Sequence, residues 1–330
     1  MARRMKAVVY EKYGPPDVLE FKDVEKPTPK DNEVQIKTRA TTVTSGDWRA
    51  RTLQVPVGFG FFARMFFGVS RPRQPVLGSE LAGDIESVGK DVSRFKVGDP
   101  VCAFTGARLG CHAEYKCMPE DGAVALKPPN LTYEEAAALS FGGMTALGFF
   151  RTGKLQSGER VLVNGASGAV GTAAMQLARH LGADVTGVCS TANVELVKSL
   201  GAKHVIDYTK EDFTKNGETY DVIVDTAGTA PFSRSKGSLR EGGRLLVVLG
   251  GLGDMLQAPW VSMTSSKKIV AGPAVGGSEG LRFLAELAER GEFKPVIGRR
   301  YPFAQIAEAH RYVDTGHKRG NVIITVAHDG

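Results

Sequence analysis

From Lys6 the chain runs through short stretches of alternating apolar and polar residues, KAVVY, EVQIKTRATTV, LAGDIESVG, DPVCAF and HAEYKCM, with Gly and Pro between them. A period of two sends successive side chains to opposite faces, so each stretch predicts a strand with one buried face. Up to about Lys127 the series predicts a twisted, β-barrel-like domain. Past KPPNLTYEEAAALSF the period changes. RVLVNG, AVGTAAMQLARHLG, DVTGVCS, NVELVKSLG and HVIDY alternate strand and helix patterns, which predicts βαβ units and hence a parallel sheet. DVIVDTAG and GGRLLVVLG add two strands, and KKIVAG at 267–272 is expected to be the sixth. Two helices follow, Gly280 to Arg290 and Phe303 to Thr315, then a closing strand, NVIITV. Six parallel strands already complete one sheet, so this tail is expected to return to the first domain.

Length agrees with two domains, since 330 residues exceed one ordinary core of roughly 150. The apolar runs fall far short of the ~20 residues of a bilayer span, and no membrane partner is expected. MARRMKAVVYEKYG has basic residues but passes directly into a strand pattern, without the apolar core of a secretory leader. The net charge of +6 is spread along the chain rather than clustered, so nucleic acid is not an expected partner either. Four cysteines in a chain this long do not make a disulfide framework, and a reducing, cytoplasmic location is expected.

The strongest chemical signal is VLVNGASGAVGTAAMQLARHLGA, a buried strand, a glycine loop and an apolar-faced helix. Gly165, Gly168 and Gly171, with Ala166, Ser167, Ala169 and Val170 between them, predict a loop whose backbone approaches a pyrophosphate at a helix N-terminus. About twenty residues beyond such a loop, an acid selects NAD by holding the ribose 2′-hydroxyl. Here the strand end reads VCSTAN, with Asp184 too early and Glu195 inside the next helix. Ser190, Thr191 and Asn193 supply donors instead, with Tyr208 and Lys210 placed to join them. NADPH is therefore the expected cofactor.

With these features together, nearly the whole chain resembles the medium-chain dehydrogenase/reductase superfamily, specifically its zinc-independent quinone oxidoreductase-like branch. The resemblance is carried by MKAVVYEKYGPPDVLE, LGSELAGDIESVGKDVSRFKVGD, AEY at 113–115, GGMTAL at 142–147, GASGAVG and GNVIITV. It implies an α/β protein with a GroES-like catalytic domain (1–126 and 275–330), a Rossmann domain (127–274), a cleft between them and a homodimer. It also implies that Thr145 lies at a nicotinamide-facing turn and that Asn321, heading the closing strand, touches cofactor.

Zinc-dependent relatives carry a cysteine where this chain has Thr44 and a histidine where it has Ser79. Hydroxyls do not replace thiolate and imidazole as zinc ligands, so no metal is expected. GARLGCHAEYKCMPE invites a metal at Cys111, His112 and Cys117, but on a strand the first two would point apart. Thr44, Asp47 and Ser79 stand at the family's catalytic positions, where Asp47 serves equally as a turn-capping residue. His310 is expected to pack in a helix. The resemblance thus implies a zinc-independent NADPH oxidoreductase acting on quinones, enones or alkenals. The alternatives are an NADP-dependent alcohol dehydrogenase or aldehyde reductase, and a non-catalytic NADPH-binding protein. VPVGFGFFARMFFGVS, between the two lost ligand positions, reads either as core or interface or as a substrate lid bearing Phe62 and Phe66.

Overall fold

The computed structural model describes residues 3–272 and 277–328. They form two compact units, one of residues 3–55, 60–141 and 277–328, the other of residues 56–59 and 142–272. The division at 141/142 comes later than the expected 126/127, because the short helix Tyr133–Ala137 packs on the strands of the first unit. The expected return point at 274/275 lies outside the described residues.

The first unit is built on a curved sheet ordered Ile297–Pro302, Asn321–Thr325, Glu33–Val43, Glu80–Val88, Pro100–Phe104, Val124–Leu126, with Tyr115–Pro119 also paired to Glu33–Val43. The closing strand therefore sits inside the sheet, antiparallel to Glu33–Val43. Alternation does the sorting: Val34 and Ile36, Leu81 and Ile85, Val101 and Ala103 all fall into one core. HAEYKCM departs from expectation. Only Tyr115–Pro119 is strand, because the amides before it bond to separate segments, Cys111 to Gly78, His112 to Leu77 and Glu114 to Lys6.

The second unit is a six-stranded parallel sheet ordered His204–Asp207, Asp184–Cys189, Arg160–Asn164, Tyr220–Asp225, Leu239–Val247, Lys268–Ala271. The order reverses beside Arg160–Asn164, so the loop after that strand stands at the switch point, where such sheets bind ligands. Two helices here were not anticipated. Ser140–Thr152 is apolar on most sides, and Leu252–Thr264 contains Pro259, so neither shows a clean helical period.

Candidate active site

In the first unit, the strand Glu33–Val43 delivers Thr44 to the start of the helix Ser45–Thr52. Thr44 is the N-cap and Asp47 closes a reciprocal capping box with it. The Thr44 amide and hydroxyl donate to Asp47 Oδ2 at 2.8 and 2.6 Å, and the Gly78 amide donates to Oδ1 at 2.8 Å. Of the two roles open to Asp47, the structure supplies the capping one. The same contacts engage the Thr44 hydroxyl, and they bind the Thr44 turn to the loop carrying Ser79.

Ser79 differs. Its hydroxyl is buried and has no hydrogen-bond partner among the described residues, which leaves a desolvated donor available. Next to it, Glu80 is fully buried and accepts from the Thr42 hydroxyl and the Phe141 amide, each at 2.6 Å. Burial raises its carboxyl to about 7 against these two bonds, with Asp47 adding to the rise. Burial also lowers Lys318 to about 8, opposed by Glu80 and Asp47, and its ammonium donates to the Gly320 carbonyl at 2.9 Å. Neither Lys318 nor Thr42 carried a motif in the sequence.

Cys111 and His112 do point apart, though not as strand neighbours. Cys111 enters the core with its sulfur 3.5 Å from the Thr105 hydroxyl, whereas His112 Nε2 lies 2.9 Å from the Thr42 carbonyl. The His112 ring meets His310 edge-on at 5.5 Å, and both are buried. Among the described residues no three His, Cys, Asp or Glu side chains are grouped to hold a metal.

In the second unit the glycine loop has the shape a pyrophosphate requires. Gly165 takes a φ of +84°, and a Cβ on Gly171 would lie 2.1 Å from the Gly165 carbonyl oxygen. Side chains are excluded where the backbone must come close. The helix Ala169–His180 opens directly after Gly168 with no side-chain cap, so its first amides are available to an anion. Asp225, unremarked in the sequence, accepts from the amides of Gly228 and Ala230 and from Asn164. Thr226 beside it donates to the Asn164 carbonyl at 2.8 Å. This frame fixes the loop from the neighbouring strand, and the residues present fit a dinucleotide.

The ribose end is less simple than its sequence. Asn193 donates to Ser190 Oγ at 3.1 Å, and Thr191 donates to Asp207, which also receives the Thr209 hydroxyl at 2.7 Å. Those bonds, with Lys210 at 3.5 Å, lower the Asp207 carboxyl to about 2. Asp207 ends the strand beside Asp184–Cys189, in register with Cys189, so spacing along one strand could not reveal it. Tyr208 is exposed. Thr145 belongs to the helix Ser140–Thr152 rather than to a turn. Asn321 belongs to the first unit, and its carboxamide donates to the Val296 carbonyl at 3.0 Å.

Comparison with known proteins places this geometry. The pattern of the alcohol dehydrogenase GroES-like domain matches residues 30–128, and that of zinc-binding dehydrogenases matches 200–324. A quinone-oxidoreductase homolog of spinach chloroplasts is 32% identical over 98% of this chain and 99% of that protein. The chain belongs to the medium-chain dehydrogenase/reductase superfamily, in its quinone oxidoreductase-like branch. An NADPH-dependent alkenal/one oxidoreductase from Arabidopsis thaliana is 31% identical over 98% of this chain and 80% of that protein. The quinone oxidoreductase structure from Coxiella burnetii superposes with a TM-score of 0.86 at 27% identity, covering 98% of this chain and all of that one. As a medium-chain dehydrogenase/reductase, the chain is a nicotinamide-dependent oxidoreductase. The zinc-binding pattern matches a stretch that includes neither Thr44 nor Ser79, so its name carries no ligand set to this site.

Proposed function

We propose that the protein is an NADPH-dependent, zinc-independent reductase of quinones and α,β-unsaturated carbonyl compounds, alkenals included. The carrying observation is the buried hydroxyl of Ser79, without a hydrogen-bond partner among the described residues, beside a Thr44–Asp47 pair that is already satisfied. Bound on the glycine loop, NADPH would supply a hydride to the conjugated carbon of the acceptor. Negative charge then accumulates on the acceptor oxygen, and Ser79 donates to it from a site where water does not compete. A conjugated acceptor spreads that charge, so one neutral donor suffices where a simple carbonyl needs a Lewis acid. The cofactor preference draws on the Ser190 hydroxyl, the exposed Tyr208 and the NADPH named for the Arabidopsis relative.

The decisive assay follows NADPH oxidation with quinones, enones, alkenals and aldehydes while metal content is measured in parallel. Ser79→Ala is expected to lower kcat about 10- to 100-fold with the NADPH dissociation constant unchanged, a single-donor loss at the small end of such effects. An unaltered kcat would remove Ser79 from the chemistry. Turnover of aldehydes alone, abolished by chelation, would favour the alcohol dehydrogenase alternative.

Phe62 and Phe66 are proposed to form the apolar wall of the acceptor site. They stand one turn apart on the helix Gly60–Phe67, largely exposed and so not core. Phe62→Ala or Phe66→Ala should cost ~1 to 3 kcal/mol in kcat/KM for bulky quinones and less for small enones. A homodimer is supported by the second unit, whose sheet ends at Lys268–Ala271 while Leu256, Trp260 and Met263 stand exposed on the helix Leu252–Thr264. A reducing compartment, the cytoplasm, suits four cysteines that are all free.

A further inference from the structure

The apolar residues of a short helix are ordinarily turned into the core. On the helix Gly60–Phe67, GFFARMFF, most of them are not. Ala63 is buried and Phe67 packs against the cluster of Tyr10, Val18 and Leu77, which seats the helix on the first unit. On the far side Phe61, Phe62, Met65, Phe66 and, just beyond the helix, Val69 each keep more than half of their surface exposed. Their spacing of 61, 65 and 69 beside 62 and 66 makes one continuous apolar strip, the kind of patch that marks an interaction surface.

Charge indicates what covers it. Between Trp48 and Ser79 there is no Asp or Glu, whereas Arg64, Arg71 and Arg73 fall in that interval besides Arg51, which is buried against Asp314. Arg64, Arg71 and Arg73 are exposed at the strip. Arg71 and Arg73 line an open cavity of about 630 Å³ with Tyr10, Glu11, Pro72 and Pro75. The carboxylate there is already neutralised, since Glu11 pairs with Lys22 at 2.6 Å. Aromatic side chains flanked by guanidinium groups match the layering of an anionic bilayer surface, acyl chains beneath and phosphates above.

We propose that this face docks on anionic membrane surfaces, seating Phe61, Met65 and Val69 among the acyl chains and Arg71 and Arg73 among the lipid phosphates. The expectation of no membrane partner rested on the lack of a spanning run, and among the described residues no helix is long and apolar enough to cross a membrane. Surface docking needs no such run. It would give the enzyme direct access to acceptors dissolved in the bilayer. Docking stands apart from the acceptor reading, because vesicle binding is measured without turnover.

The test is flotation of the full chain with phosphatidylcholine vesicles, with and without phosphatidylglycerol. The wild-type protein should float with the anionic vesicles and be released by salt. Phe61→Ser with Met65→Ser should weaken binding at least tenfold at an unchanged Tm and with unchanged turnover of a water-soluble acceptor. Arg71→Gln with Arg73→Gln should abolish the preference for phosphatidylglycerol. Wild-type protein that ignores anionic vesicles, or variants that float as wild type does, would overturn the proposal. So would a wild-type dimer that Phe61→Ser with Met65→Ser converts to monomer, since the face would then belong to a second copy.

Discussion

Two hydroxyls at neighbouring positions have opposite circumstances here, and this separates their roles. Thr44 gives its hydrogen to Asp47 and receives the Asp47 amide at 3.2 Å, whereas Ser79 has no partner among the described residues. Removing the first hydroxyl should affect stability, and removing the second should affect chemistry. Thr44→Val is expected to cost ~1 kcal/mol, as lost helix caps do, visible as a lower Tm with kcat within a few-fold of wild type. Sequence alone offered Thr44, Asp47 and Ser79 as equals, because residue type and position do not tell which hydrogen bonds are already made. The ribose end teaches the same lesson. Asp207 is charged at neutral pH and engages Thr191 and Lys210, two groups that sequence assigned to a phosphate. Asp207→Asn should therefore raise kcat/KM for NADPH several-fold at low salt and leave NADH nearly unaffected, since removing a like charge favours the doubly charged phosphate.

Among elements, the parallel sheet was legible because each of its strands is a short apolar run bounded by turn residues, and the glycine loop was legible because its constraint is local. Gly168 and Gly171 look alike in sequence, yet a Cβ on Gly168 would meet only the Gly165 oxygen at 3.7 Å, while one on Gly171 would overlap it at 2.1 Å. Gly171→Ala should weaken NADPH binding at least tenfold by fluorescence titration, given that overpacking costs ~1 to 3 kcal/mol. Gly168→Ala should bind within a few-fold of wild type. The Gly60–Phe67 helix was illegible for a physical reason. Its composition matches a core helix, and only the assembled fold shows that Phe61, Phe62, Met65 and Phe66 each stay more than half exposed.

For the molecule as a whole, the buried ionisable groups of the first unit set how stability varies with pH. His310 is fully buried with neither ring nitrogen bonded among the described residues, and it faces His112 and Arg51; burial holds it well below its ordinary 6.5, and burial lowers His112 as well. Histidines kept neutral in the fold contribute stability that is present above pH 6.5 and lost as the pH falls toward their folded values. Glu80 has the opposite sign. Raised from 4.5 to about 7, it contributes stability that is full below pH 4.5 and lost as the pH rises through 7. His310→Leu should flatten the acid limb of a Tm-against-pH curve. Glu80→Gln should steepen the net fall of Tm from pH 7 toward 4.5, because the opposing slope is gone.

The position of the strand Asn321–Thr325 also has a consequence on the ribosome. It lies between Ile297–Pro302 and Glu33–Val43, so the unit that begins to emerge first lacks an interior strand until residues 321–325 are made. The sheet of the second unit is complete once Ala271 is out. Domains usually mature in the order of synthesis, but here the later segment can close its sheet while the earlier one waits. During that interval the outer edge of Glu33–Val43 is an open template for pairing with other chains, which makes nascent protein of this fold more dependent on holding chaperones than its finished form.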